Sequence, residues 1–400
     1  MSSSPRIRLS LMMFLQYAIW GIWVPNLGLY LSKIEGFSQT NISLIYMTMP
    51  IASIIAPFIA GQIADRYFAA QRFLAVSQVL GGVVLLVIAR LTGFIEVFVG
   101  MLVYNILYAP TIAITNSIVF HHWPNERFSR IRVWGSIGWI VIGWVFGLWL
   151  ERAGGLLGRA PSVGDWFYIA AVLSLVMGAF ALVLPHTPPS KKAGNPWAFL
   201  DAFALMRNRA FAVMAVIAFF TALEMQYYFI QQPVFFSQGL HLRDSWVGPV
   251  ATFGQICEMV MMVLLPLALR RFGYRVTMAL GIAAWALRDF VFAIGQPTGL
   301  VIASVTLHGI GFAFFFTTIF MFADLVAPKD IKSSAQSFLS SVTIGLGMLT
   351  GSLIGGPFAD YLQKDWHKVF LAPAVLCAVC CLVFLIGFRP KTAEAPAPAA

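Results

Sequence analysis

Charged side chains are scarce in this chain. Its 400 residues include 26 Lys and Arg and 16 Asp and Glu, 10% in all, against 60% hydrophobic residues and a mean hydropathy of +0.83. That balance excludes an ordinary soluble globular protein, in which about a quarter of residues are charged. Cysteine is scarce too, and Cys257, Cys377, Cys380 and Cys381 all fall inside apolar runs. A disulfide framework is therefore excluded. The CAVC spacing at 377–380 lacks the loop, His partner or second pair of a metal site, so all four are expected to pack as small hydrophobes. Missing as well are H-E-x-x-H, a G-x-S-x-G elbow and a Gly-rich phosphate loop, which argues against a membrane-embedded enzyme and against direct ATP driving. No cofactor and no metal are expected.

Long apolar runs are abundant. A membrane-spanning helix needs roughly 20 mostly apolar residues, and twelve such runs lie near 8–32, 40–63, 73–91, 94–119, 126–150, 165–185, 211–237, 246–269, 276–295, 299–325, 335–358 and 369–388. The chain reads as an all-α integral membrane protein. The first run is too long and too polar-flanked for a cleaved signal peptide and is kept as a helix.

The net charge of +10 follows from topology. If the N-terminus is cytoplasmic, eighteen Lys and Arg fall in inside segments and seven outside, with Arg288 left within the ninth helix. Both termini are then cytoplasmic. The basic residues are spread over loops without an aromatic stacking platform, so no nucleic-acid partner is expected.

The longest polar interruption, from His186 to Arg209, divides the runs six and six. The expected organisation is an N-terminal six-helix bundle (1–185), a cytoplasmic linker (186–209), a C-terminal six-helix bundle (210–388) and a disordered Pro- and Ala-rich tail (389–400). Corresponding places in the halves echo one another. GQIADRYFAAQR (61–72) and LPLALRRFGYRV (265–276) are both basic turns between the second and third helices of a half. Gly143 and Gly147 in the fifth helix match Gly347, Gly351 and Gly355 in the eleventh, a spacing that lets helix backbones approach closely in lipid. Two related six-helix halves are the build of a rocking transporter with a site at the bilayer midplane, related by a pseudo-two-fold axis.

A carboxylate at bilayer depth is costly and marks a cavity or a partner. Glu258 lies about mid-way along the apolar stretch Val247 to Leu269, with Gln255 one turn earlier on the same face. The seventh helix supplies Glu224 and Gln226; the fifth places Arg132, Ser136 and Trp139 at i, i+4 and i+7; the first offers Gln16, Trp20 and Trp23. Amides, charges and aromatic faces of this kind suit a small polar ligand with a flat ring, such as a nucleoside, or a sugar. Arg132 also reads as a marker of the cytoplasmic end of its helix, and the Trp residues as packing aromatics. His308 and the neighbours Arg288 and Asp289 are expected to make interhelical contacts, and Asp324 to pair with a loop cation. Adjacent side chains on a helix point apart, so His121 and His122 are not expected to form a metal pair.

GQIADRYFAAQR resembles the conserved loop motif of the major facilitator superfamily, with Gly61, Asp65, Arg66 and Arg72 in place and Ala69 where glycine is common. In that superfamily the motif's charges brace one conformational state; the alternative is a turn that obeys the inside-positive rule. FLQYAIWGIW, LYAPTIAITNS, IRVWGSIGW, LPHTP, LDAFALMRNR, LEMQ, GQICEM, AWALR, HGIGFAFFF and SSAQSF together resemble, in order, segments of the nucleoside:proton symporter family within that superfamily. The resemblance implies nucleoside import by proton symport, with nucleoside, protons and the lipid bilayer as partners; the short loops and the kept first helix suit a bacterial inner membrane, and a monomer is expected. It implies substrate contacts at Arg132, Ser136, Trp139, Gln226, Gln255, Glu258 and Phe312. Two positions depart from the family pattern: Phe229 stands where the family has Asn, three residues past Gln226, and Ala313 where its well-known members carry Asp. Glu258 is then the leading carboxylate for a coupled proton, with Glu224 second. Facilitated or proton-coupled transport of another small polar solute, such as a sugar, is the alternative.

Overall fold

The computed structural model describes residues 5–34, 36–59, 68–123, 128–154, 159–188, 198–328 and 331–390. Helices dominate them: α1 (Pro5–Leu31), α2 (Gln39–Ile59), α3 (Ala70–Ile88), α4 (Phe94–His122), α5 (Ser129–Arg152), α6 (Trp166–Ala181) and α7 (Arg209–Gly239). A continuous stretch, Asp244–Ile294, is broken at Gly273, whose φ of 68° and ψ of 175° favour a residue without Cβ. It therefore comprises α8 (244–272) and α9 (274–294). Then come α10 (Thr298–Val326), α11 (Ser334–Tyr361) and α12 (Trp366–Gly387). The break falls inside the basic turn 265–276, as the sequence expects. Among the described residues ten stretches, the longest holding both α8 and α9, are long and apolar enough to cross a membrane.

The outward faces explain the high hydropathy. On α3, Val76, Val79, Leu80, Val83 and Val87 are exposed at helical spacing, while Leu74, Gln78, Gly81 and Leu85 are buried. An apolar outer stripe is what a lipid-facing helix presents.

The chain forms two compact units, and the division falls within α7 and α8. Unit 1 (Met1–Pro196 with Phe229–Thr252) holds α1 through α6 and the adjoining ends of α7 and α8. Within it α1 packs along α5, α2 on α4, and α3 on α4 and α6. Pro25 interrupts the α1 ladder, and the Tyr46 hydroxyl stands in the gap, accepting from the Gly28 N–H at 3.0 Å and donating to the Val24 carbonyl. Gly143 and Gly147 face the start of α8: a Cβ on Gly143 would meet Thr252, and one on Gly147 would meet Pro249 and the Ser245 carbonyl. Unit 2 (Trp197–Tyr228 with Phe253–Ala400) holds the remaining helices. There Gly347 and Gly351 lie against Ala222 and the Leu223 carbonyl of α7. The close approach expected of these glycines is present at Gly143 and Gly147 and at Gly347 and Gly351. The tail from residue 391 and linker residues 189–197 lie outside the described residues.

Candidate functional site

The unit 1 candidates are built on α1 and α5. Helix α5 begins at Ser129, so Arg132 sits within its first turn. It is more than an end marker, because its guanidinium carbon stands 3.9 Å from the centroid of the Tyr17 ring on α1. Gly135 makes room for that stack, since a Cβ there would meet both Tyr17 and Arg132. Trp139, two turns further along α5, meets Trp20 edge to face with ring centroids 5.7 Å apart. Ser136 lies between them on the helix and is part-buried. A cation, a hydroxyl and two indoles thus line adjoining positions of α1 and α5.

The other α1 candidates have internal roles. Trp23 is buried, packing against Tyr46 and Tyr104 at 6.3 and 6.5 Å. Gln16 is fully buried and donates to Thr111 Oγ1 at 2.7 Å while accepting from Gln78 Nε2 at 2.9 Å. Tyr108 donates to the Gln16 carbonyl at 2.5 Å. This network joins α1, α3 and α4, and Gln78 was not singled out from sequence because a lone Gln in an apolar run carries no pattern.

In unit 2, Gln255 and Glu258 are part-buried on one face of α8. The Gln255 Oε1 is buried with no hydrogen-bond partner. Helix α10 crosses close to this point because Gly309 has no side chain: a Cβ would collide with the Glu258 N–H and the Gly254 carbonyl. Phe312 follows Gly309 by three residues, part-buried, where α10 widens into a π-helical turn, Phe312–Thr317. Such turns are frequent at functional sites. Ala313 is fully buried. On α7, Gln226 is buried and its Nε2 donates to Ser352 Oγ of α11 at 2.9 Å. Phe229, part-buried, belongs to unit 1.

Glu224 takes part in a buried charge cluster. Arg288 donates from Nη2 to Glu224 Oε1, from Nε and Nη2 to Asp289 Oδ1 at 3.0 and 2.8 Å, and from Nη1 to His308 Nδ1 at 3.2 Å. Its guanidinium lies 3.7 Å from the Tyr228 ring centroid. The interhelical role expected of Arg288, Asp289 and His308 is thus present, and Glu224, also open to reading as a helix-helix hydrogen-bond partner, is its fourth member.

Of the loop motif, Gly61, Asp65 and Arg66 lie outside the described residues; Arg72 is exposed on α3. Beside it Gln71 holds the segment after α6, accepting from the Thr187 N–H at 3.0 Å and bonding His186 Nδ1 at 2.8 Å. His121 and His122 do meet, edge to face at 4.6 Å, contrary to expectation; His122 Nε2 is engaged with Thr187 Oγ1 at 2.9 Å. Asp324 pairs with Lys332 at 2.8 Å. The four cysteines are free, two buried and two part-buried.

Long apolar helices able to cross a membrane, together with the matches below, define an integral membrane transporter, not an enzyme. The fold is that of the major facilitator transporters. Residues 3–393 match the model of the family described as nucleoside H+ symporter, and the chain belongs to that family. It is 34% identical to a putative nucleoside transporter, YegT, of Escherichia coli K12, over 97% of this chain and 94% of the relative. It is 31% identical to the xanthosine permease of the same organism, over 96% of each. The crystal structure of the nucleoside transporter NupG superposes with a TM-score of 0.83 at 26% identity, covering 97% of this chain and 100% of that one.

Proposed function

We propose that the chain imports nucleosides by proton symport, through alternating access of its two halves, as a monomer in a bacterial inner membrane with both termini cytoplasmic. The substrate contacts are Arg132, Ser136, Trp139, Gln226, Phe229, Gln255, Glu258 and Phe312, and the proton is carried by Glu258, with Glu224 second. The observation that carries the reading is the Gln255 and Glu258 pair: an amide oxygen with no hydrogen-bond partner among the described residues, one turn from a carboxylate in a long apolar helix, with Phe312 nearby along the crossing helix. Ribose hydroxyls and base N–H groups are donors that such acceptors satisfy, and Phe312, Trp20 and Trp139 offer faces for a flat base.

A charged carboxylate at the bilayer centre costs about 2.5 to 3.5 kcal/mol on insertion scales. Protonation removes that cost, and bound substrate replaces lost water contacts, so joint occupancy favours rocking. The family match and the permease relatives support nucleosides as cargo.

A second reading is transport of another small polar solute such as a sugar. The buried Ala313 and the part-buried Phe229, both where the family pattern carries a polar group, favour it.

Radiolabelled uridine and adenosine uptake into proteoliposomes, with and without an inward proton gradient, tests the proposal on the natural sequence and on Ala313→Asp. Gradient-driven uptake by the natural sequence is expected. Nucleoside uptake that appears only after Ala313→Asp would sink the first reading in favour of the second.

A further inference from the structure

The cluster around Arg288 holds more acid than base. Glu224, Arg288 and Asp289 have no exposed side-chain surface beyond 1%, and His308 is 2% exposed. A single guanidinium nitrogen, Nη2, serves Glu224 Oε1 and Asp289 Oδ1 together. The other oxygens, Glu224 Oε2 and Asp289 Oδ2, are buried and have no donor. Arginine is donor only, so His308 Nδ1 accepts from it and the imidazole is neutral. Two ionised carboxylates against one guanidinium would leave a net negative charge within apolar helices.

We propose that Glu224 and Asp289 hold one proton between them, and that this shared proton is exchanged in each transport cycle alongside the one carried by Glu258. The assignment of a cycle to it rests on the symport reading above; the shared proton itself does not. A proton between the acids gives the missing donor to an orphaned oxygen and brings the cluster to neutrality. The groups facing the pair are Arg288 from α9 itself, Tyr227 and Tyr228 from α7, His308 from α10 and Cys377 from α12. Of these, only Arg288 carries a charge. Carboxylate oxygens of both acids and the Cys377 Sγ lie within 4.8 Å of one another, a spacing that also suits a metal ion. A divalent ion there would leave the cluster with a net positive charge beside Arg288, whereas one proton brings it to neutrality.

The geometry places the pair where it can report on transport. Tyr228 stacks on His308 at 5.3 Å, His308 packs near Phe312 at 6.3 Å, and Gln226 follows Glu224 by two residues. Movement of α7 or α10 around a ligand would alter how Arg288 is divided between the two acids, and with it the proton's hold.

The test is infrared difference spectroscopy of the full chain in lipid, titrated with acid and base, for the natural sequence, Glu224→Gln and Asp289→Asn, each also read in a Glu258→Gln background so that the band followed is not that of Glu258. A protonated-carboxyl band at neutral pH is expected in the natural sequence and expected to be lost in both variants, since each leaves one acid for one guanidinium. Absence of the band from the natural sequence would overturn the shared proton without any variant, and so would its persistence in folded variants. In proteoliposomes, the ratio of gradient-driven uridine accumulation to uridine exchange is expected to fall at least tenfold in both variants. An unchanged ratio would overturn the coupling role. Failure of the natural sequence to move uridine would strike the nucleoside reading and leave the infrared result to decide the proton site.

Discussion

The guanidinium of Arg132 lies over the Tyr17 ring, its carbon 3.9 Å from the centroid, at the start of α5. The stack holds a cation on a preformed surface one turn from Ser136 and two from Trp139. A planar, delocalised cation is needed for this; an ammonium on a flexible stem is not equivalent. Arg132→Lys is therefore expected to lower uptake at least tenfold while leaving the thermal unfolding midpoint within a few degrees. Tyr17→Phe, which keeps the ring, is expected to stay within about threefold of the natural sequence, because cation–π attraction of roughly 0.5 to 2 kcal/mol depends on the face and not the hydroxyl. Uptake assays paired with thermal melts check both.

Gln226 and Gln255 differ in what they already bond. Gln226 is tied to Ser352, whereas the Gln255 Oε1 has no partner among the described residues. Gln255→Ala is expected to weaken nucleoside binding about tenfold with no loss of stability, as no internal bond is broken. Gln226→Ala is expected to weaken binding and to destabilise by roughly 0.5 to 1.5 kcal/mol, because its buried hydrogen bond to Ser352 is lost. Equal stability losses in the two variants, read from thermal melts alongside binding isotherms, would contradict this division.

Gly309 sets the α8 and α10 crossing. A Cβ there overlaps the backbone of α8 at Glu258, so Gly309→Ala is expected to destabilise by about 1 to 3 kcal/mol and to depress uptake by displacing both Glu258 and Phe312. Gly299→Ala on the same helix meets nothing within 4 Å and is the matched control, expected to leave both stability and uptake intact. Thermal melts of the two variants decide it.

The α5 seam makes a parallel prediction in unit 1. Gly147→Leu would drive a side chain into Pro249 and the Ser245 carbonyl. Ser245 Oγ donates to Glu151 at 3.0 Å close by, so the substitution is expected to part the start of α8 from α5. Faster labelling of a cysteine substituted for Ser245 by a water-soluble maleimide, compared with the same cysteine in a Gly147 background, reads the separation; unchanged labelling speaks against it.

Much of the fold was legible because the bilayer constrains it strongly. Each span had to be a long apolar helix, and the helices lie within a few residues of where hydropathy put them. The seam glycines were legible for the same reason, since a four-residue spacing has one use in lipid. The intramembrane polar residues were legible as candidates because each is an exception to an apolar rule. What each one touches was not. Gln16 and Trp23 read as site residues with Trp20, yet Gln16 anchors a buried amide network and Trp23 fills the core, while only Trp20 meets Trp139. Periodicity identifies a face of a helix; it does not say which turn of that face meets a neighbour.

The sequence by itself determined the solvent this protein lives in, the number and extent of its helices and the short roster of polar groups that bilayer physics makes significant. The tertiary structure alone decided how those groups are paired. Glu224 meets an arginine 64 residues away and Gln226 a serine 126 residues away, and no local pattern encodes such partners. A carboxylate takes its protonation from the charges packed around it, so the excess of acid over base in the Glu224, Arg288 and Asp289 cluster becomes visible only once two helices have brought them together.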